Sequence, residues 1–468
     1  MLDTLTLLQC LQPYMGATSM RQLSRIVQAM LAMTGRVTML GISRWTGKGG
    51  SYRTVQRFFN TTLPWATLLW VFFRQHLWCP NEVYLLAGDE VVVTKAGKKT
   101  YGVDRFFSSL YGKSVSGLSF FTLSLISVKE RHSFPIRVEQ RLLTEKDKER
   151  ANKDKQKKKK SARKANTVKK ESKKNLKNRE AGEKNKGGRP KGSKNKNKTE
   201  VKFTSELLQI KGWIQGLLIQ IGAWLPVRYL LLDGHFGNNN ALQMTRQLNL
   251  HLISKLRYDS ALYLPYENPE PDKKCRRKYG YKVNMKFIPS NYLKTRQIQN
   301  GYQTDIYQIE LLHKEFSQAL NVVIIVKTNI RNLSTSHVIL FSSDLTLTYD
   351  KLIDHYSLRF QIEFNFRDAK QFWGLEDFMN VSKTGVTQAA NLSFFMVNMS
   401  YYLLNSGTED YKPNSILDLK TICRGDKYVR EIIKLLPEKP EPVLLADIFA
   451  RICSLGRIHK DPEPLREV

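Results

Sequence analysis

Between residues 146 and 198 the chain carries 24 Lys and Arg against 6 Asp and Glu, a net of +18, with few apolar residues among them. KDKQKKKKSARK and GGRPKGSKNKNK lie within it. Such a stretch cannot bury enough apolar surface to offset the entropy of ordering it, so it predicts a disordered basic linker. Any folded core must therefore be assembled from the segments on either side. With 468 residues and 41% hydrophobic content, the chain has material for a sizeable core of two or three domains. Of the total charge of +33, +15 remains outside the linker, and a polyanionic partner is the first inference.

The flanking segments differ in periodicity. Residues 1–80 read as helical in SMRQLSRIVQAMLAM and SYRTVQRFFNTTLPWATLLWVFFRQHL, punctuated by Arg21, Arg25, Arg36, Arg44, Lys48, Arg53 and Arg57. Ser51 can cap the second run, and the turn TGKGGS suits a helix-turn-helix DNA-binding domain; a helical cap with solvated arginines fits equally well. Residues 81–145 change to strands, with EVYLLAGDEVVVTKAG, GLSFFTLSLISV and FPIRVEQRLL suggesting an antiparallel meander. Beyond the linker, residues 199–257 read as a helix followed by β-α-β, in VRYLLLDGHFG, NNNALQMTRQLN and HLISKLRY. Residues 258–348 suggest about five more strands with polar turns, an inserted β-rich subdomain. Helices return over 349–406 and in a C-terminal region, 407–468.

Within KLIDHYSLRFQIEFNFRDAKQFWGLEDF, the residues Tyr356, Arg359, Glu363 and Lys370 stand at offsets of 3, 7 and 14. At about 100° per residue all four fall inside about 60° of one helix face, and Arg367 shares the sector. Ile353, Leu358, Phe360, Ile362, Phe364, Phe366 and Phe372 cover the rest, which predicts one continuous, largely buried helix. A carboxylate among cations on such a helix needs partners, and suits a site for a metal ion and a phosphodiester. Asp89 sits inside an apolar strand and Asp233 ends another, both costly positions for an unpaired carboxylate. Joined by Glu363 they would make an all-oxygen cluster suited to Mg²⁺ or Mn²⁺. Two such ions can drive an in-line phosphoryl displacement. Glu90 points to the opposite face from Asp89, so only one of them can join, and Asp89 is preferred. Taken singly, each acid fits a surface ion pair or a cap just as well.

The spacing Y-x2-R-x3-E-x6-K resembles the signature of a large group of bacterial insertion-sequence transposases in the DDE superfamily. The segments GDEVVVTKAGKKTYG, RYLLLDGHFGNNNAL, LISKLRYDSALY and YSLRFQIEFNFRDAKQFWGLEDF resemble that group's catalytic core in the same order, over roughly residues 80–406. The resemblance implies a ribonuclease H-like α/β core, with a β-rich insertion between the second aspartate and the glutamate. It implies that Asp89, Asp233 and Glu363 are the catalytic metal-binding triad, and that Tyr356, Arg359 and Lys370 contact transposon-end DNA. Mg²⁺-dependent cleavage at terminal inverted repeats, strand transfer into target DNA and a dimer in the synaptic complex follow as expectations. Arg367 lies outside the signature.

The linker's GGRPKGSKNKNK also resembles an AT-hook, whose reading residues would be Arg189 and Lys191 in the minor groove. A polybasic tether is its alternative. His235 reads as a structural neighbour of Asp233. A non-catalytic DNA-binding protein derived from a transposon, or another ribonuclease H-like nuclease, would share many of these features. The five cysteines are scattered without ligand spacing, no secretory leader or membrane-spanning run is evident, and no P-loop appears. These features predict a reduced, cytoplasmic, nucleoid-associated protein.

Overall fold

A computed structural model describes residues 4–47, 49–108, 111–145, 147–149, 197–267, 277–406, 413–438 and 440–459. Arg189 and Lys191 lie outside the described residues. The N-terminal part folds into α1 (Thr4–Leu8), α2 (Ala17–Ala32), α3 (Met39–Trp45), α4 (Tyr52–Asn60) and α5 (Trp65–His76). Ser51 caps α4, accepting the Thr54 N–H at 3.4 Å. The long helical run expected after Ser51 is two helices, because Pro64 has no N–H to continue α4 and instead stands just before α5.

The strands are β1 (Tyr84–Thr94), β2 (Asp104–Ser108), β3 (Lys113–Ser127) and β4 (His132–Arg141). After the linker come α6 (Ser205–Ile221), β5 (Tyr229–Leu231), α7 (Asn239–Gln247) and β6 (His251–Leu256). They assemble in the order β4-β3-β1-β5-β6, with β3 antiparallel to β1 and β5 and β6 parallel to it. Leu85, Leu86 and Ala87 of β1 are wholly buried, as a central strand covered on both faces requires. This mixed sheet flanked by helices is consistent with the ribonuclease H-like expectation.

Residues 258–348 form β7 (Leu262–Pro265), β8 (Tyr279–Lys282), β9 (Leu293–Gln299), β10 (Tyr302–His313), β11 (Leu320–Asn329) and β12 (Thr335–Ser342). These strands continue the core sheet: β12 pairs antiparallel with β6, and the order runs on through β11 and β10 to β7 and β8. The described residues thus share one twelve-stranded sheet.

Its helical cover is completed by α8 (Tyr349–Leu358), α9 (Gln361–Gln371), α10 (Lys383–Asn405), α11 (Ile416–Ile433) and α12 (Pro442–Ser454). Phe394, Phe395 and Met396 of α10 are completely buried. The chain ends interlock with this layer. Lys420 of α11 donates to the Met30 carbonyl at 2.7 Å, and Arg424 to that of Ala32 at 3.1 Å, so α11 satisfies carbonyls at the C-terminal end of α2. Asp377, just after α9, accepts the Val37 N–H at 2.9 Å. Gly374 permits that approach: its φ is +79°, and a Cβ there would stand 2.4 Å from the Val37 Cβ. On the other side of the linker, Asp147 accepts the Ser205 hydroxyl at 2.6 Å, tying the start of the basic interval to the first turn of α6.

His132 stacks on Tyr401 of α10, with ring centroids 3.8 Å apart, and its Nε2 is buried without a partner. Burial pushes its pKa down to about 4 from the usual 6.5. The unfolded chain then binds the extra proton between these values, so this contribution to stability is complete above pH 6.5 and is lost as the pH falls toward 4. The expected loss is on the order of 3 kcal/mol. In urea unfolding from neutral to acid pH, His132→Phe should flatten that part of the profile; parallel profiles for the two proteins would show that His132 is not its source.

Candidate active site

Alternation along β1 separates two neighbouring acids. Glu90 shares a face with Phe121, whose ring stacks on Trp213 of α6 at 5.8 Å. Asp89 takes the opposite face, toward α8 and α9, where Arg359 meets it. The Glu90 carboxylate is fully engaged: it accepts from Arg141 at 2.6 Å and from the Ser119 hydroxyl. Arg141 also reaches Glu206 at 3.1 Å, and Glu206 lies 3.7 Å from the imidazole Nε2 of His235. Nothing local in the sequence marks Arg141 or Glu206, because their partners lie so distant along the chain. The Glu206 carboxylate beside its ring holds the His235 pKa above its ordinary value, with burial opposing.

Asp233 follows the short β5 and caps a single 3-10 turn, Gly234–Phe236, accepting the His235 N–H at 3.2 Å. Its own carbonyl accepts from Ser254 of β6 at 2.7 Å, which fixes the point where the chain leaves the sheet. Glu363 lies in the first turn of α9, with a side chain 44% exposed.

Arg359 links these acids. Its guanidinium, 13% exposed, stands 2.7 Å from Asp89 and 3.4 Å from Glu363. Its Nε is buried without a partner. Burial pushes the Asp89 pKa up to about 6, Arg359 opposes that rise, and the charges of Asp233 and Glu363 add to it. Asp89 therefore senses the charges of both Asp233 and Glu363. Among the described residues, no three His, Cys, Asp or Glu side chains are grouped closely enough to hold a metal ion.

The signature segment differs from the expected continuous helix. Arg359 and Phe360 keep helical dihedral angles, but Ile362 and Glu363 donate to the carbonyls three residues back, at 3.1 and 3.0 Å, so α8 and α9 meet at a tightened joint. Burial is also less complete than the pattern predicts: Phe360 is 50% and Phe364 36% exposed, their rings edge to face at 5.5 Å. Lys370 points back to the sheet, donating to the Val92 carbonyl and to Glu376, each at 3.0 Å. Tyr356 packs near Arg359, with the guanidinium 6.0 Å from its ring. Arg367 pairs with Asp368 at 2.9 Å and lies 4.9 Å from the Phe364 ring. Tyr356, Arg359 and Glu363 are thus brought together with Asp89, whereas Lys370 is anchored farther along β1.

A search of curated proteins finds no match to this chain. A family model for DDE superfamily endonucleases matches residues 7–310, a span that includes Asp89 and Asp233 and ends before Glu363. That match covers well over half of the 468 residues. The chain belongs to the DDE superfamily of endonucleases.

Proposed function

We propose that this endonuclease is an insertion-sequence transposase that binds terminal inverted repeats, cuts at their ends and joins the freed 3′-hydroxyls to target DNA. The observation that carries the proposal is the half-buried Asp89 on the central strand, whose pKa is pushed up by burial, with the charges of Asp233 and Glu363 adding to the rise and one guanidinium 2.7 Å away opposing it. DDE endonucleases generally use divalent metal ions. The donor chemistry here fits Mg²⁺ or Mn²⁺: three oxygen-only acids whose mutual repulsion a divalent cation would relieve. Asp89, Asp233 and Glu363 would hold a pair of such ions, which supply polarisation of the attacking hydroxyl and stabilisation of the leaving oxygen.

The chain's own residues do the rest. Water first attacks the scissile phosphodiester, breaking the bond to the 3′-oxygen; that 3′-hydroxyl then attacks a target phosphodiester and displaces its 3′-oxygen. Arg359 supplies charge beside the carboxylates, where a phosphate would need it, and Tyr356 limits its freedom. Lys370 has a positioning role through β1 and Glu376, and reaches DNA only by leaving those partners. Arg189 and Lys191 would add minor-groove contacts, and two copies would hold the two ends.

Replacing Asp89, Asp233 or Glu363 by Ala should lower cleavage of a labelled terminal repeat by at least about 10³-fold, from the loss of several kcal/mol of transition-state stabilisation. Retained cleavage in any one variant removes that residue from the triad. Because Arg359 neutralises the same acids that would hold metal, Arg359→Gln should tighten Mn²⁺ binding to the DNA-free protein by roughly tenfold, equivalent to about 1.4 kcal/mol. Electron paramagnetic resonance of free Mn²⁺ measures this directly, and unchanged or weaker binding would show that the guanidinium does not compete.

A further inference from the structure

The far end of the sheet carries a charged surface that the carboxylate site does not use. Residues 277–304 contain six Lys and Arg and no Asp or Glu. Tyr263 of β7 pairs directly with Lys282 of β8, so their side chains share a face. Tyr263 and Tyr279 meet edge to face at 5.6 Å. Cations rest against these rings: the Lys314 Nζ is 4.7 Å from the centroid of Tyr263, and the Lys198 Nζ is 5.9 Å from that of Tyr279 and 3.2 Å from its hydroxyl. Arg277 lies 4.8 Å from the ring of Tyr266. Among the described residues, none of Lys198, Arg277, Lys282 and Lys314 forms an ion pair with a carboxylate. Tyrosine rings hold these cations in place without neutralising them, which leaves their full charge for a polyanion.

We infer that the β7–β8 surface is a second contact for duplex DNA, gripping the phosphate backbone at a distance from the scissile position. This rests on the reading of the protein as one that acts on DNA. Rings already engaged by cations favour contact through charge over stacking of unpaired bases. The order β5-β6-β12-β11-β10-β7-β8 puts the surface six strands from β5, the strand that leads into Asp233. At about 4.8 Å per strand the lateral separation across the sheet is about 29 Å. That is about nine base pairs at a rise of about 3.4 Å. A duplex lying along the sheet from the carboxylates would reach both.

The test uses the full chain carrying Arg277→Ala, Lys282→Ala and Lys314→Ala together, with a urea midpoint matching the unaltered protein as the folding control. Fluorescence anisotropy follows binding to a labelled duplex of about 30 base pairs between about 50 and 200 mM KCl. The slope of log affinity against log salt should fall by about 0.9 for each phosphate that is no longer neutralised, or by about 2.7 in all. A Lys282→Glu, Lys314→Glu variant should weaken binding further. A duplex of about six base pairs, bound at the carboxylates, is too short to span the two sites, and on it the altered and unaltered proteins should differ little. Equal slopes on the long duplex overturn the inference. Failure of the unaltered protein to bind any DNA overturns instead the reading on which it rests.

Discussion

A carboxylate on a strand buried from both sides is unstable unless a positive charge reaches it, and in this protein that charge is Arg359. The pairing has architectural consequences. It draws the joint between α8 and α9 onto the face of β1 that carries Asp89, and so brings Glu363, four residues farther on, to the same place. Lys370 repeats the arrangement a little farther along the strand, by bonding the Val92 carbonyl. The helical segment is therefore fastened to the central strand at two points, one ionic and one to the backbone. Glu90, which could have competed for the role of Asp89, is held on the other face by Arg141 and Ser119.

The charge distribution of the whole chain has a corresponding logic. Arg359 is consumed by the acids beside it, whereas Lys198 and Lys314 at the far end of the sheet rest on tyrosines and keep their charge. Charge committed to carboxylates and charge resting on aromatic rings are thus carried by different residues at different places on the sheet.

Much of this was legible in the residues. Strands such as β1, β3 and β6 announce themselves through β-branched and aromatic runs, and the placement of Asp89 and Glu90 on opposite faces follows from simple alternation. Spacing also brought Arg359 and Glu363 onto one side. It could not show the joint between them, because both residues at the break retain helical dihedral angles and only the hydrogen-bond partners change. Nor could it show that Lys370 turns inward, since a helical offset specifies a direction and not the atom found there. The solvent exposure of Phe360 and Phe364 departs from a reading in which apolar means buried. The network through Glu206 depends on groups far apart in the chain and has no local mark.

The hydrogen bond between Asp147 and Ser205 bears on how such a protein can change over time. It closes the basic interval at its base, so the folded parts meet each other whatever the interval contains. For a closed loop, doubling or halving the length alters the closure entropy by only about 0.6 kcal/mol. Insertions and deletions of lysine-rich sequence are therefore nearly silent in the stability of the fold. The sheet and its helical cover on the two sides of the interval are thus joined by a contact that does not depend on what the interval contains.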